Sequence, residues 1–503
     1  MPRKVRLLPV PTGDRLLELL PRLGQALDGS GDPLLPVDLS DVSAAASILG
    51  ADPDLVAGED DEDDPTALVV ATSGSTGQPK GVLLPASALR ASADATRQRL
   101  SSLGVPGGRL LWSGGNSSMH AAASKPRAGA SEPHAAALRG TGATPTSDQW
   151  LLALPATHIA GLQVLLRAVR AGAEPTVLDT AVPFTADRFC AVVQRMPAGP
   201  RFTSLVPTQL VRVLTDPEAT AALTTFDAVL VGGAAAPAEL LRQAAKAGAA
   251  VVTTYGMTET CGGCVYDGLP LGGVLVDLDD DGSPGDDRLG REGRSIVGDD
   301  HRPGVDARQA PNQHPGATHG RVIISGPVLA RGYRGMPGHP AFQRLGGSRL
   351  FRTQDVGSWD GDLLRITGRI DDVIVTGGVK IDPSSVESAV AGVHGVREVL
   401  VTGVPDREWG QLVVAVVVVP EDQPAPRLDA LRAAALQAHG AAAAPRHLVL
   451  VDELPYRGIG KPDRRALGEL AVRALAEPPH DAGQRWDSSV TDMRSDTTAA
   501  GRP

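Results

Sequence analysis

Ala67-Leu68-Val69-Val70-Ala71, running on into Thr72-Ser73-Gly74-Ser75-Thr76-Gly77-Gln78-Pro79-Lys80-Gly81, is the stretch from which this chain is best read. The apolar run has the length and composition of a buried strand, and Val82-Leu83-Leu84 resumes it. Between the two lie four hydroxyl side chains, three glycines, a glutamine, a proline and a lysine. Glycines let the backbone turn tightly and bring its N–H groups close to an anion. Hydroxyls add donors, and Lys80 adds a mobile positive charge suited to a polyphosphate, so a nucleotide triphosphate is the natural guest. An ordinary Gly/Ser turn between strands is the plain alternative. The Walker arrangement, Gly-x4-Gly-Lys-Ser/Thr opening a helix, is excluded because Gln78-Pro79 separates Gly77 from Lys80.

Composition bounds the rest. A chain of 503 residues, 42% hydrophobic and 21% charged, should fold as more than one domain with a large core. A net charge of −10 offers no basic field to a nucleic acid, and no apolar run reaches the length of a membrane span. With three cysteines and no signal-peptide core, a reducing cytoplasm fits best. Cys261-Gly262-Gly263-Cys264 could be half a zinc site, a redox pair, or two small buried side chains; the third is favoured because no second pair or nearby His stands at ligand spacing.

Outward from the opening stretch, residues 1–50 carry helical periodicity, and Glu59-Asp60-Asp61-Glu62-Asp63-Asp64-Pro65 reads as a solvated, flexible connection. Pro85 to Leu100 reads as a helix. Stretches at about 113–148 and 279–319 lack apolar periodicity and read as irregular insertions. Elsewhere strand-like and helix-like segments alternate: Thr176-Val177-Leu178, the helix Ala186 to Met196, Ser204-Leu205-Val206, Ala228 to Val231, the helix Ala238 to Ala247, and Val251 to Thr254. Such alternation implies an α/β fold, a large N-terminal domain (1–368) of mostly parallel sheets with flanking helices. Ligands in such sheets bind at the carboxyl ends of strands. A small α+β C-terminal domain follows over 369–475, and 476–503 is expected to be a disordered tail.

Further motifs carry chemistry. Gly232-Gly233-Ala234 ends a strand with side-chain-poor backbone against which a planar ring could lie, although a strand-to-helix turn needs the same glycines. Tyr255-Gly256-Met257-Thr258-Glu259-Thr260 offers a stacking face, a hydroxyl and a hard oxygen ligand suited to Mg²⁺. Thr353-Gln354-Asp355-Val356-Gly357, Gly368-Arg369-Ile370-Asp371-Asp372, Gly377-Gly378-Val379-Lys380-Ile381 and Gly458-Ile459-Gly460-Lys461 follow in order.

Each motif alone is weak, but six in this order resemble the adenylate-forming acyl- and aryl-acid ligases, over roughly residues 65–470 outside the insertions. The resemblance implies that enzyme family's fold, with a hinged C-terminal domain, and ATP, Mg²⁺ and coenzyme A as co-substrates. By the same resemblance, Thr72, Ser73, Gly74, Ser75, Thr76, Gly77 and Lys80 hold phosphates, with Thr76 and Glu259 toward the metal. Gly233, Ala234, Tyr255 and Gly256 would meet the adenine, and Asp355 and Arg369 the ribose or phosphate. Asp371 would be the hinge, and Gly377, Gly378 and Lys380 the loop used in the thioester step. Lys461, Glu259, Thr258 and His158 would be the catalytic set.

Leu154-Pro155-Ala156-Thr157-His158-Ile159-Ala160-Gly161-Leu162, Thr203 to Leu210 and Glu259 to Tyr266 further resemble the o-succinylbenzoate–CoA ligases of menaquinone synthesis. That implies a small aromatic diacid as substrate, met by His158, Thr208 and Gly256, with Arg167 a further candidate for its second carboxylate. A helix-start histidine with only packing duties is an equal reading of His158. Another aryl- or acyl-CoA ligase, or an enzyme loading a carrier protein, is the alternative activity. A homodimer is compatible with the reading, and neither a nucleic acid nor a membrane is expected as a partner.

Overall fold

The structure, a computed structural model, describes residues 3–38, 48, 53–73, 79–103, 147–279, 319–345, 348–420, 423–457 and 461–476. The two expected insertions fall mostly outside these residues, as does the tail after Ala476. The chain forms two compact units that exchange segments: residues 1–71, 83–232 and 236–254 in one, and 72–82, 233–235 and 255–503 in the other.

In the first unit, β1 (Arg6–Pro9), β2 (Leu34–Val37), β3 (Thr66–Ser73) and β4 (Pro79–Pro85) are neighbours in that order. The pairs β1–β2 and β2–β3 are parallel. Ala67, Leu68, Val69 and Val70 of β3 have no exposed surface, the outcome expected of an uninterrupted apolar run covered on both faces. Two helices, α1 (Leu20–Asp28) and α2 (Ala86–Leu103), flank the connections. A second sheet joins β5 (Gln149–Leu152), β6 (Thr176–Val177), β7 (Arg201–Leu205), β8 (Ala228–Val231) and β9 (Val251–Met257) in the order β9-β8-β7-β5-β6, all parallel. Crossovers run through α3 (Ile159–Ala171), α4 (Ala186–Val193), α5 (Pro207–Leu214), α6 (Pro217–Leu223) and α7 (Ala238–Ala247). Their apolar faces close a core around Phe189, Leu205, Leu210, Val213, Val229 and Val231. Burying each such side chain contributes about 1.5–3 kcal/mol. Helix α4 stops three residues short of the expected Met196, where the Arg195 and Met196 N–H groups turn back to Val192 and Val193 carbonyls.

The acidic run is solvated only in part: Asp61, Glu62 and Asp63 are exposed as expected of a connection, whereas Glu59, Asp60 and Asp64 accept backbone donors around β3 and α2. Glu59 is 3% exposed and its Oε2 accepts the Val56 N–H at 3.1 Å. Asp60 Oδ1 accepts the Thr66 N–H at 2.8 Å and the Arg3 guanidinium at 3.2 Å, and Asp64 Oδ1 accepts the Ser87 N–H at 3.2 Å. Charge density in a sequence does not show which backbone N–H groups lack partners, and element starts always have some.

In the second unit, β10 (Gly262–Tyr266) and β11 (Leu269–Pro270) form a hairpin. Strands β12 (Leu275–Asp279), β13 (His319–Ser325), β14 (Gly332–Tyr333), β15 (Phe342–Leu345), β16 (Ser348–Asp360) and β17 (Leu363–Arg369) follow. Of these, β12-β13-β16-β15 make an antiparallel sheet, with β17 on β16, that the alternating pattern did not announce. Asp279 and His319, expected at the edges of an irregular insertion, are strand residues opposite Arg321 and Ser358.

Beyond Arg369 come β18 (Ile374–Thr376), β19 (Val379–Ile381), α8 (Pro383–Val390), β20 (Glu398–Asp406), β21 (Gly410–Val418), α9 (Leu428–His439), β22 (His447–Val451), β23 (Tyr456–Arg457), β24 (Lys461–Pro462) and α10 (Arg464–Ala476). Strand β21 explains its own composition. Val413, Ala415 and Val417 face α8 and α9, whereas Val414, Val416 and Val418 pack with Leu467 and Leu470 of α10, so every position is apolar. Among the described residues, no helix is long and apolar enough to cross a membrane.

One prediction follows from the acidic run. Asp60→Ala, which strips acceptors from Thr66 and Arg3, should lower stability by about 1–3 kcal/mol in urea unfolding, whereas Glu62→Ala should stay within roughly 0.5 kcal/mol of wild type.

Candidate active site

The best-defined cluster lies in the second unit, where β16 turns into β17. Thr353, 1% exposed, donates its hydroxyl to the Val322 carbonyl at 2.8 Å and accepts the Asp355 N–H at 3.0 Å. The Thr-x-Asp spacing thus fixes the backbone from which Asp355 projects. Asp355 is the cross-strand partner of Arg369, and the register shifts just beyond, between Val356 and Gly357. A bulge of this kind re-aims side chains beside functional sites. Arg369 donates to Asp355 Oδ1 at 3.0 Å and grips Asp371 with two bonds of 2.8 Å. The second Asp355 oxygen accepts the Tyr255 hydroxyl at 2.7 Å. Burial, and then the Asp355 charge, push the Tyr255 phenol well above its ordinary pKa, so it remains a donor.

Tyr255 and Gly256 belong to the end of β9 rather than to a loop after it. A Cβ on Gly256 would sit 2.1 Å from the Gly262 carbonyl oxygen, so only glycine permits this close pass. A single 3₁₀ turn, Thr258–Thr260, then reverses the chain. Thr260 Oγ1 accepts the Met257 N–H at 2.9 Å and donates to the Gly262 carbonyl at 2.7 Å, holding the turn closed. Thr258 is buried within it. The Glu259 carbonyl accepts the Ala330 N–H at 2.8 Å, and the Glu259 carboxylate accepts the Tyr333 hydroxyl at 2.8 Å.

Lys80 Nζ stands 5.0 Å from the centroid of that same Tyr333 ring. Its neighbour Gly81 accepts the Arg334 N–H at 2.8 Å, so β4 and β14 bring the lysine and the tyrosine together through backbone pairing. Thr72 Oγ1 contacts the Lys80 carbonyl at 3.3 Å across the open end of the loop. Gly74, Ser75, Thr76 and Gly77 lie outside the described residues, and Ser73 is described only in its backbone. Gly233, in the left-handed region at φ 83°, and Ala234 fall in the same unit.

Further along, Gly377 and Gly378 both have positive φ, 56° and 81°, and form the two-residue turn between β18 and β19. Such a turn demands two left-handed residues, which is why the sequence reads Gly-Gly. Lys380 lies opposite Val375 in that hairpin. Lys461 opens β24 with Arg457 as its cross-strand partner. Three residues on, Arg464 hydrogen-bonds Glu387 of α8 and lies 3.6 Å from Asp372, beside the expected hinge residue Asp371. Burial raises the Asp372 pKa, with Arg464 opposing.

In the first unit, His158 occupies the N-cap position of α3 without a side-chain cap bond, and its carbonyl accepts the Leu162 N–H at 2.9 Å. Thr208 is in the first turn of α5, where Gln209 rather than Thr208 caps the helix by accepting the Val206 N–H at 3.1 Å. Arg167 is 6% exposed, donates to Thr96 Oγ1 at 3.1 Å and lies over the Trp150 ring, so its guanidinium is engaged in packing.

Sequence reasoning missed Tyr333, His339 and Phe342, whose rings pack edge-on at 4.7 and 5.2 Å around Tyr333. The available signal was scarcity. The chain has four tyrosines, and three of them, Tyr255, Tyr333 and Tyr456, donate to carboxylates.

All three cysteines are unbridged and buried. Among the described residues, no group of three or more His, Cys, Asp or Glu could hold a metal ion by itself. Mg²⁺ in nucleotide sites is usually held by one or two carboxylates plus substrate phosphates and waters. Glu259 is a carboxylate of the right hardness for that role. Burial pushes the Cys264 thiol up to about 12, with a Thr260 hydrogen bond opposing. Alkylation requires thiolate, of which only about one part in ten thousand exists at pH 8 for such a thiol. Iodoacetamide at pH 8 should therefore leave Cys264 unmodified by mass spectrometry in the native protein and label all three cysteines after denaturation; rapid native labelling of Cys264 would contradict its placement.

The parallel sheets, the antiparallel sheet carrying Asp355 and the small C-terminal sheets together make the adenylate-forming enzyme fold. Residues 118–334 match the AMP-binding enzyme family and residues 385–461 the AMP-binding enzyme C-terminal domain. The chain belongs to the AMP-binding enzyme family. It is 40% identical over 466 residues to a probable 2-succinylbenzoate–CoA ligase of Mycobacterium tuberculosis, covering 92% of this chain and 97% of that protein. The o-succinylbenzoate CoA synthetase from Bacillus subtilis, solved with its acyl-adenylate intermediate, superposes with a TM-score of 0.57 at 23% identity over 89% of this chain and 80% of that one. ATP-bound MatB from Rhodopseudomonas palustris gives 0.64 at 18% identity over 94% and 96%. These two likenesses establish the fold.

Proposed function

We propose that this enzyme joins o-succinylbenzoate to coenzyme A through an acyl-adenylate, releasing pyrophosphate and AMP, as a step in menaquinone synthesis. For the nucleotide half, the supporting observation is Asp355 held between the Tyr255 hydroxyl and the Arg369 guanidinium, at 2.7 and 3.0 Å. A carboxylate fixed in this way presents its lone pairs in one orientation, which suits paired ribose hydroxyls. For the acid, the support is the name of the relative that is 40% identical over nearly the whole chain.

Adenylation brings two anions together, the acid's carboxylate and the α-phosphate. Magnesium bound with ATP supplies charge neutralisation at the phosphates, and Glu259 and Thr76 are the residues proposed to hold it. Lys80 grips the phosphates that leave, and Tyr255, Gly233 and Ala234 seat the adenine ring. Lys461 is the proposed source of positive charge where the new bond forms, and Thr258 a further proposed member of the catalytic set. Fixed charges in a site closed to water act without reorganising at the moment of reaction. Thioester formation then needs Lys461 withdrawn and a path for the thiol, supplied by a swing about Asp371 that brings in Gly377, Gly378 and Lys380. His158 and Thr208 are the proposed contacts for the acid, with Gly256 bordering it.

Substrate-dependent pyrophosphate release across a panel of aromatic and aliphatic acids tests the assignment. O-succinylbenzoate should give the highest kcat/KM, and release with another acid alone would reassign the substrate. The two lysines should separate in half-reactions. Lys461→Ala should slow adenylation by roughly a hundredfold or more, the scale of a lost transition-state charge contact, yet leave the reaction of preformed adenylate with coenzyme A much less affected. Lys80→Ala should likewise spare the thioester step, and equal losses in both half-reactions would contradict its role with the leaving pyrophosphate.

A further inference from the structure

Tyr333 lies in none of the motifs that carry the nucleotide reading, yet it touches two residues that do. Its hydroxyl reaches Glu259 Oε1 at 2.8 Å, and its ring carries Lys80 Nζ 5.0 Å from the centroid. The side chain is 7% exposed and is fixed by the rings of His339 and Phe342 at 4.7 and 5.2 Å. Its backbone is fixed as well, because the next residue, Arg334, donates to Gly81 and, three residues before it, Ala330 donates to Glu259. Two separate main-chain bonds thus tie the β14 region to the lysine strand on one side and the glutamate turn on the other.

We infer that Tyr333 is the positioning residue that sets Lys80 and Glu259 relative to each other, so that the phosphate-binding charge and the metal-side carboxylate meet a nucleotide in fixed register. The inference rests on the ATP-dependent reading above. Its chemistry is specific. A ring face attracts the ammonium without removing its hydrogen-bond donors, leaving them for phosphate oxygens. A phenol hydroxyl bonded to one carboxylate oxygen fixes the orientation of the carboxylate, and second partners of this kind orient metal ligands. His339 is biased neutral by burial and by Lys80, and so adds no competing charge beside the lysine.

The two contacts can be removed separately, and ATP binding reads them without turnover. Isothermal titration of the full chain with ATP, with and without MgCl₂, gives the nucleotide affinity and the gain that Mg²⁺ adds. Tyr333→Phe keeps the ring and loses the hydroxyl. It should bind Mg²⁺-free ATP within about twofold of wild type, while the Mg²⁺-dependent gain falls roughly tenfold to a hundredfold, the scale of a hydrogen bond to a charged group. Tyr333→Leu should also weaken Mg²⁺-free ATP binding, by about threefold to tenfold, because the ring face is gone. A merely structural role would lower the unfolding midpoint of both variants without separating the two affinities. A wild-type Mg²⁺ gain in Tyr333→Phe overturns the inference even if Tyr333→Leu fails to fold. Absence of ATP binding by the wild-type chain overturns the adenylation reading and this inference together, whereas failure with o-succinylbenzoate alone leaves both standing.

Discussion

The antiparallel pairing of β16 with β17 is the constraint on which the site depends. It sets Asp355 opposite Arg369 across a bulge, and the ion pair between them is a consequence of register. A slip of one residue would turn the aspartate to the other face of the sheet and leave the arginine without it. Thr353 guards that register with a buried hydroxyl bonded to β13, and Tyr255 closes the carboxylate from the end of β9. A tyrosine 100 residues away in sequence and an arginine 14 away therefore meet on one carboxylate.

The same logic repeats with different chemistry around Tyr333. There an aromatic ring collects a cation on its face and a carboxylate at its hydroxyl, again with backbone hydrogen bonds fixing each contributor. Tyrosine suits both places because a buried phenol stays protonated next to an anion and donates a hydrogen bond without adding charge, whereas a lysine there would neutralise the carboxylate. In a chain with 3% aromatic residues, tyrosines spent on carboxylates are a notable concentration of polar use.

The C-terminal segment joins these features through Arg369 and Arg464. Arg369 binds Asp355 of the β16 strand and Asp371 of the 3₁₀ turn Ile370–Asp372, and Arg464 binds Glu387 and approaches Asp372 at the other side of that turn. The residues expected to act as a hinge are thus flanked by ion pairs.

The sequence by itself determined the elements whose signal is local. Ala67–Val70 announced a buried strand, Ala228–Val231 another, and Ala238–Ala247 a helix, because burial and backbone sterics act on neighbouring residues. The ordered motifs also marked Tyr255, Glu259, Asp355, Arg369 and Lys461 as one expected chemical set, and pointed to the AMP-binding enzyme family to which the chain belongs. Tertiary structure alone decided what those residues touch. It bound Glu59, Asp60 and Asp64 of the acidic run to backbone donors, drew the antiparallel sheet that the α/β alternation did not announce, and placed Arg167 against Thr96 and Trp150. It also put Tyr333 between groups far away in sequence. Hydrogen-bond partners and cross-strand neighbours depend on which backbone donors and which strands meet in space, and no local pattern of residue types encodes that.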